Sequence, residues 1–185
     1  MHVAGAGMAG LVAAARLREL GQDATVHEKG NRIGGSMLLS SGVIWRHRDW
    51  DEFRHECPGG DERLQRLVWE RLDEALAWLA SKGAPVVWEE TGNPRTVGKR
   101  FEPRGLATAL VGDVELGADG CHDAGVILCT GGFAASSDLV TRYIAPAASL
   151  RLRASPWSEG DGLCHGSLRI QKGRGRKGSG RALGC

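Results

Sequence analysis

Three glycines near the start of the chain have the spacing of a phosphate-binding turn. The segment Gly5-Ala6-Gly7-Met8-Ala9-Gly10 fits the pattern G-x-G-x-x-G. In such a turn the first glycine permits a sharp bend, the second lets a diphosphate approach the backbone, and the third allows close packing of a helix on a strand. Glu28 follows about 20 residues later, where a carboxylate accepts hydrogen bonds from a ribose. This combination predicts a dinucleotide site.

The elements on either side of the turn support that prediction. His2 to Ala4 reads as a short strand, and apolar residues recur at helical spacing from Met8 until Gly21. Ala24 to Glu28 is β-branched and roughly alternating, as in a second strand. Such a unit has its two strands parallel. The alternative is that the glycines form only a tight turn and that Glu28 is a solvated strand end.

Two further segments extend the pattern. The first is H-E-K-G-N-R-I-G-G-S at His27 to Ser36, and the second is T-G-G-F at Thr130 to Phe133. With the glycine turn, they resemble the flavoprotein family that includes fumarate reductase, the succinate dehydrogenase flavoprotein subunit and the ketosteroid dehydrogenases. A glycine pair after the acidic residue is typical of the members that bind FAD, so the resemblance implies FAD rather than NAD. It extends from residue 1 to about residue 165.

The resemblance also implies a role for individual residues of this sequence, although it identifies no catalytic residue. The residues expected at the diphosphate are Gly5, Ala6, Gly7, Met8, Ala9 and Gly10, and those at the adenosine ribose are Glu28 and its neighbour Lys29. Gly34, Gly35, Ser36, Ser41 and Gly42 are expected along the ribityl and flavin side, Thr130, Gly131 and Gly132 over the nucleotide, and Asp161 near the flavin. The implied activity is FAD-dependent hydride transfer at a carbon–carbon bond.

The predicted fold is α/β, a Rossmann-like parallel sheet with flanking helices. Val126 to Cys129 is a continuous apolar run, as expected of a buried parallel strand. Asp61 to Ala80 has the apolar periodicity of a helix that serves the core. The residues predicted on its buried face are Leu64, Leu67, Val68, Leu72, Ala75, Leu76 and Leu79. Pro85 to Glu90 is predicted as a short strand and Gly105 to Val111 as a brief helix. We expect residues 36–125 to be otherwise irregular, with Thr91 to Pro103 as loop. Residues 1–166 form the predicted FAD-binding domain, and residues 167–185 form a predicted disordered basic tail.

The chain also departs from the family pattern. Family members carry a mobile capping domain that binds the substrate, and a returning carboxy-terminal segment that completes the flavin pocket; this sequence has neither. The expectation is therefore an incomplete flavoenzyme, produced by truncation or by a change of reading frame. Two alternatives stay open: a non-catalytic nucleotide-binding remnant, and one piece of a split enzyme whose capping domain lies on a partner chain. The substrate is an unidentified small molecule.

Charge and hydropathy bear on the remaining partners. The net charge of +2 hides an asymmetry, because six of the 24 basic residues follow Asp161, the last acidic residue. A basic tail favours non-specific contact with nucleic acid or acidic surfaces, and a basic-tailed binding module is a third alternative. The tail has no interleaved aromatic residues, so no specific nucleic-acid partner is predicted. No apolar run approaches the roughly 18 residues that cross a bilayer, which predicts a cytoplasmic protein without a membrane partner.

Two other groups of residues could carry chemistry. The dipeptides Cys121-His122 and Cys164-His165 suggest a metal site, but adjacent side chains rarely converge on one ion, so no metal is predicted. Arg46-His47-Arg48, with Trp45 and Trp50 nearby, could hold an anionic substrate. The alternative for that segment is a solvated loop with the tryptophans packed beneath it.

Overall fold

The computed structural model describes residues 1–118, 125–144 and 151–164. The chain separates into two compact units, one formed by Met1–Leu39 with Gly112–Cys185 and the other by Ser40–Val111. The range 1–166, which the sequence predicts as one domain, includes residues of both units, and its bounds stay a prediction. The predicted basic tail at 167–185 lies outside the described residues.

Regular elements occupy most of the described chain. In chain order they are β1 (His2–Ala4), α1 (Met8–Glu19), β2 (Thr25–Glu28), a 3₁₀ helix (Gly35–Leu39), β3 (Val43–His47), α2 (Trp50–Glu56), α3 (Glu62–Ser81), β4 (Val86–Trp88), β5 (Thr96–Phe101), α4 (Pro103–Leu110), β6 (Val114–Leu116), β7 (Val126–Leu128) and α5 (Ser137–Tyr143).

The first unit contains a parallel sheet with the strand order β6-β2-β1-β7. His2 is in register with Thr25 on one side and with Val126 on the other. Val3 and Val26 are fully buried, as is Leu11 of α1, which packs on these strands. The parallel sheet and its helix confirm the predicted α/β class. They bring the carboxyl ends of β1, β2 and β7 to one edge, where ligands bind in open α/β sheets.

The second unit contains an antiparallel sheet with the order β3-β5-β4. Its core includes the fully buried side chains of Phe101, Leu106 and Leu110. The predicted short strand and brief helix correspond to β4 and α4. The prediction that the rest of residues 36–125 is irregular is wrong, as is the loop prediction for Thr91 to Pro103, which contains β5. The sequence T-V-G-K-R-F of β5 lacks apolar alternation. Pairing on both edges fixes this strand, because β3 and β4 satisfy its backbone hydrogen bonds.

Helix α3 begins and ends within one residue of its predicted bounds, and Asp61 caps its amino terminus. Leu76 and Leu79 are buried, as predicted. The core prediction is wrong for the amino-terminal half of the helix: Leu64, Leu67 and Val68 are 53% to 63% exposed. Periodicity identifies an apolar face, but burial also requires an element that packs on it. No described helix combines the length and the apolar composition that crossing a bilayer requires.

Candidate nucleotide-binding site

A cleft of about 960 Å³ opens at the carboxyl ends of β1, β2 and β7. This volume is at the upper end of the range of about 300–1,000 Å³ for sites that hold small molecules and cofactors. Many of the residues predicted from the sequence lie together in its walls. They are Gly5, Gly7, Met8, Ala9, Glu28, Lys29, Gly35, Ser36, Thr130, Gly131, Gly132 and Asp161.

The three glycines of the turn have different surroundings. Gly5 has φ +103°, and a Cβ there would lie 2.4 Å from the carbonyl oxygen of Cys129. A Cβ on Gly10 would lie 1.8 Å from the carbonyl oxygen of Gly5, so α1 crosses directly against the turn. A Cβ on Gly7 would meet no atom within 4 Å. Packing therefore requires glycine at the first and third positions, while the second faces open space in the cleft.

The amino terminus of α1 is open to a ligand. Gly7 is its N-cap residue, no side chain caps it, and the first turn has no acidic residue. The first backbone N–H groups of a helix have no partner within the helix, and they carry its positive partial charge. This arrangement binds anions such as phosphate.

Glu28 joins the turn to the end of β2. Its side chain is only 8% exposed. One carboxylate oxygen accepts a hydrogen bond from the backbone N–H of Ala6 at 2.6 Å, and the other accepts from Gly30 at 2.7 Å. Each oxygen can accept a second hydrogen bond, so the carboxylate can hold the turn and also bind a hydroxyl group in the cleft.

The Gly34-Gly35 pair packs on the glycine turn at Gly5 to Gly10. The N–H of Gly34 donates to the carbonyl of Ala6 at 2.7 Å, and Gly34 forms an isolated parallel bridge with Gly7. A Cβ on Gly35 would lie 3.2 Å from the Cα of Gly7. Ala6, Gly10 and Gly34 are buried behind the cleft, where they support its floor and are not among its lining residues.

Residues 155–163 form a further wall that comes from a distant part of the sequence. The N–H of Ser155 donates to Oγ of Ser36 at 2.9 Å, and the N–H of Gly162 donates to Oγ1 of Thr130 at 3.0 Å. Lys29 donates to Glu159 and to Asp161, and its hydrogen bond to the Glu159 carboxylate is the main reason that the pKa of Lys29 is raised. The wall is thus tied to both predicted glycine-rich segments.

This wall contains a lining residue that the sequence reasoning missed. Trp157 lies in the cleft, four residues before the predicted residue Asp161. Its proximity to Asp161 in the sequence was the available signal. Tryptophan has no fixed place in the glycine-rich patterns that identified the other residues.

Ser41 and Gly42 belong to the second unit and are not among the lining residues of the cleft. Gly42 has φ +75°, and a Cβ there would lie 2.1 Å from the carbonyl oxygen of Phe101. Its backbone N–H donates a hydrogen bond to Oγ of Ser40 at 3.1 Å. Packing within the second unit accounts for this glycine, and the flavin-side role of Ser41 and Gly42 stays a prediction.

The other predicted constellations have structural contacts of their own. Arg46 lies over the ring of Trp69 at 4.7 Å and pairs with Asp73 at 2.8 Å. His47 stacks on Phe53, and Arg46 and His47 lie in β3, so the loop alternative is wrong for them. Within the described ranges, no group of three or more histidine, cysteine or acidic residues could hold a metal ion. Cys121, His122 and His165 lie outside those ranges.

Solved structures share this fold. A 3-ketosteroid-Δ4-(5α)-dehydrogenase from Rhodococcus jostii RHA1, in complex with 4-androstene-3,17-dione, matches with a TM-score of 0.72 and 18% identity, over 90% of this chain and 52% of that one. A flavocytochrome c3 fumarate reductase in its open conformation matches with a TM-score of 0.67 and 16% identity, over 90% of this chain and 39% of that one. A 3-ketosteroid Δ1-dehydrogenase from Sterolibacterium denitrificans, in complex with 1,4-androstadiene-3,17-dione, matches with a TM-score of 0.67 and 14% identity, over 91% of this chain and 54% of that one.

This chain therefore spans between 39% and 54% of the length of these structures. No curated protein matches it by sequence. Residues 2–117, which are more than half of the chain, match the family described as FAD binding domain. These residues include the glycine turn, Glu28 and the Gly34-Gly35 pair. The chain belongs to the FAD binding domain family, and its cofactor is FAD.

Proposed function

We propose that the cleft of the first unit binds FAD with its diphosphate at the amino terminus of α1. The observation that carries this proposal is the open end of α1, where Gly7 leaves free space and no side chain caps the helix. The residues present fit the cofactor, since they combine an uncapped positive helix end with a buried carboxylate 21 positions along the chain from Gly7.

Each part of the cleft has a role in this proposal. The backbone N–H groups at Gly7, Met8 and Ala9 bind the diphosphate. Glu28 accepts a hydrogen bond from the adenosine ribose while its bonds to Ala6 and Gly30 hold the carboxylate in place. A carboxylate fixed in this way needs no reorganisation when the ribose arrives, which lowers the cost of binding.

The remaining lining residues complete the proposed cofactor contacts. Gly35 and Ser36 follow the ribityl side, Thr130, Gly131 and Gly132 cover the nucleotide, and Asp161 lies in the wall beside Lys29. The hydrogen bonds from Ser155 to Ser36 and from Gly162 to Thr130 hold this wall against the floor of the cleft.

We further propose that the chain is the cofactor-binding part of an oxidoreductase that acts on carbon–carbon bonds. When bound, the flavin supplies hydride transfer, while the protein supplies orientation and a water-poor site. The support comes from the dehydrogenases and the fumarate reductase that share the fold. No residue of this chain is assigned to substrate binding or proton delivery.

A second candidate is a nucleotide-binding remnant, or one piece of a split enzyme whose partner chain supplies the capping part. One observation favours it. The amino-terminal half of α3 leaves Leu64, Leu67 and Val68 exposed, which is an apolar surface that a further polypeptide could cover.

Binding of FAD to the purified chain tests the first proposal. We expect flavin absorbance to stay with the protein through gel filtration, and a saturable titration to yield a dissociation constant. Gly7→Asp is the matched control, because it places a negative charge at the proposed diphosphate position. A wild-type protein that retains no flavin, or one that binds it no better than Gly7→Asp, would contradict the proposal.

The thiol of Cys129 gives a readout inside the cleft. Cys129 lines the cleft and is free, and burial raises the pKa of its thiol, while free Cys57 is exposed and serves as the internal control. Alkylation measured by peptide mass spectrometry should slow at Cys129 when FAD is present and stay unchanged at Cys57. Equal labelling rates with and without FAD at Cys129 would place the flavin elsewhere.

Turnover separates the two candidates. The FAD-loaded chain is assayed for dye reduction with 4-androstene-3,17-dione and with succinate, and for fumarate reduction with a reduced dye. Activity that Gly7→Asp abolishes supports the oxidoreductase. Stable FAD binding with no turnover on any of the three substrates supports the remnant or the split enzyme.

A further inference from the structure

Trp157 differs from the other five tryptophans of this protein in its location. It belongs to the first unit, and it lines the cleft with a half-buried side chain. The remaining tryptophans all belong to the second unit; they are Trp45, Trp50, Trp69, Trp78 and Trp88. Among the described residues that line the cleft, Trp157 is the one with a large aromatic ring, and its spectroscopic signal can be separated from those of the other tryptophans by substitution.

The indole of Trp157 rests directly on backbone beside the buried carboxylate. A Cβ on Gly30 would lie 2.8 Å and 2.9 Å from two atoms of the six-membered ring of the indole, so the ring packs closely against the backbone of Gly30. The same Gly30 donates its N–H to Glu28 at 2.7 Å. The aromatic ring is therefore placed next to the group proposed to bind the adenosine ribose.

Arg32 and the chain neighbours of Trp157 also help to position the ring. The guanidinium of Arg32 lies 5.7 Å from the centre of the indole, within range of a cation–π contact. Two residues before Trp157, the N–H of Ser155 donates a hydrogen bond to Oγ of Ser36. Two residues after it, Glu159 forms a salt bridge with Lys29. A ring fixed before the ligand arrives loses little conformational freedom on binding.

We infer that Trp157 is the platform on which the adenine ring of the cofactor stacks. This inference rests on the proposed function, because it uses the placement of the adenosine ribose at Glu28. The base is joined directly to that ribose, and the indole is the large flat apolar surface beside Glu28. Stacking on an aromatic side chain accepts any base, so the platform supplies affinity, while Glu28 and the glycine turn supply the preference for a nucleoside diphosphate.

The test compares ligands that share parts of FAD. Wild-type protein, Trp157→Ala and Trp157→Phe are titrated with FAD, with ADP and with inorganic pyrophosphate. Trp157→Ala should weaken FAD and ADP about 10-fold and leave pyrophosphate unchanged, because only the first two carry the base. Trp157→Phe should stay within about 3-fold of wild type, because phenylalanine retains a stacking surface.

Intrinsic fluorescence gives a second readout that does not depend on the alanine variant folding. ADP should change the tryptophan emission of the wild type and leave that of Trp157→Phe unchanged. Trp88→Ala is the matched control, since Trp88 is a 47% exposed tryptophan of the second unit, and it should bind all three ligands as wild type does.

Three results would overturn the inference. In the first, Trp157→Ala binds FAD and ADP as the wild type does, which would show that the indole does not contribute to binding. In the second, Trp157→Ala loses affinity for pyrophosphate together with ADP, which would indicate a purely structural role. An ADP-dependent emission change that persists in Trp157→Phe would also contradict it. Failure of the proposed function is a separate result, because then the wild-type protein itself binds neither FAD nor ADP.

Discussion

The amino termini of α1 and α3 are built in opposite ways. Helix α3 begins at Asp61, whose carboxylate accepts hydrogen bonds from the backbone N–H groups of Arg63 at 2.9 Å and Leu64 at 3.3 Å, and Glu62 follows in the first turn. Helix α1 begins at Gly7, which has no side chain and no acidic neighbour in the first turn. The other described α-helices are capped like α3, by Asp49, Glu102 and Ser136.

This difference shows where the protein completes its own hydrogen bonds and where it leaves them for a ligand. A capped helix end satisfies its first N–H groups within the fold, and loss of the cap reduces stability. An uncapped end at the floor of a cleft keeps the same groups available for an anion. The comparison therefore predicts that substitutions at α1 change cofactor binding, while those at α3 change stability.

The largest expected effect comes from giving α1 the cap that α3 has. Gly7 has extended backbone angles that any residue adopts, and nothing lies within 4 Å of a Cβ there. Gly7→Asp should therefore fold normally, while like-charge repulsion and the lost N–H groups lower FAD affinity by at least about 100-fold. Calorimetric titration measures the affinity, and thermal unfolding measures the fold.

Gly7→Ala is the neutral partner of that variant. It adds only a methyl group to the open space, so it should weaken FAD binding less than the aspartate does. If both variants weaken FAD equally, the steric effect dominates and the charge argument fails. Gly10→Ala is the packing control, because its Cβ would lie 1.8 Å from the Gly5 carbonyl oxygen. Unlike the Gly7 variants, it should lower the midpoint of thermal unfolding in the absence of FAD.

The second prediction concerns the buried carboxylate that supports the α1 turn. Glu28→Gln replaces one acceptor oxygen by an NH₂ group that faces a backbone N–H, either of Ala6 or of Gly30. A buried donor left without an acceptor costs about 1–3 kcal/mol, so the free energy of unfolding should fall by that amount. FAD affinity should fall about 10-fold as well. Chemical denaturation measures the change in stability, and titration measures the change in FAD affinity. An unchanged unfolding midpoint would contradict the role of Glu28 in holding the turn in place.

The third prediction is the counterpart at α3. Asp61→Ala removes a cap, so the midpoint of thermal unfolding should fall by about 2–4 °C. FAD affinity should not change, because Asp61 is not among the lining residues of the cleft. A loss of FAD affinity comparable to that of Gly7→Asp would remove the distinction between the two helix ends.

The smallest expected effect is a pH dependence at the same cap. The side chain of Arg63, followed by the backbone N–H groups of Arg63 and Leu64, lowers the pKa of Asp61 in the folded protein. A lowered folded-state pKa means that the stabilisation is present above the unfolded pKa of about 3.9 and is lost as the pH falls through the folded value.

The stability difference between wild type and Asp61→Ala should therefore be constant near neutral pH and shrink below about pH 4. Unfolding curves of both proteins at pH 7 and at pH 3 measure it. A difference that stays the same at pH 3 would show that the charge of Asp61 is not what stabilises α3.

The sequence predicted the elements whose signals are local. The strand, turn, helix and strand from His2 to Glu28 lie where the glycine spacing and the apolar periodicity placed them. Helix α3 was also predicted within one residue at each end, because its cap and its periodicity lie within a short stretch. Strand β5 was predicted as loop, because its pairing partners are distant and its own residues carry no alternation.

The sequence by itself determined the α/β class and the parallel strand pair, since glycine spacing and periodicity are properties of neighbouring residues. Its resemblance to a flavoprotein family pointed to FAD. Only the tertiary structure decided which glycines pack and which one stays open, because that depends on contacts such as Gly5 with Cys129. It also decided that Trp157 meets Gly30, and that half of the apolar face of α3 is exposed. Burial and proximity arise from residues far apart in the chain, so no local pattern records them.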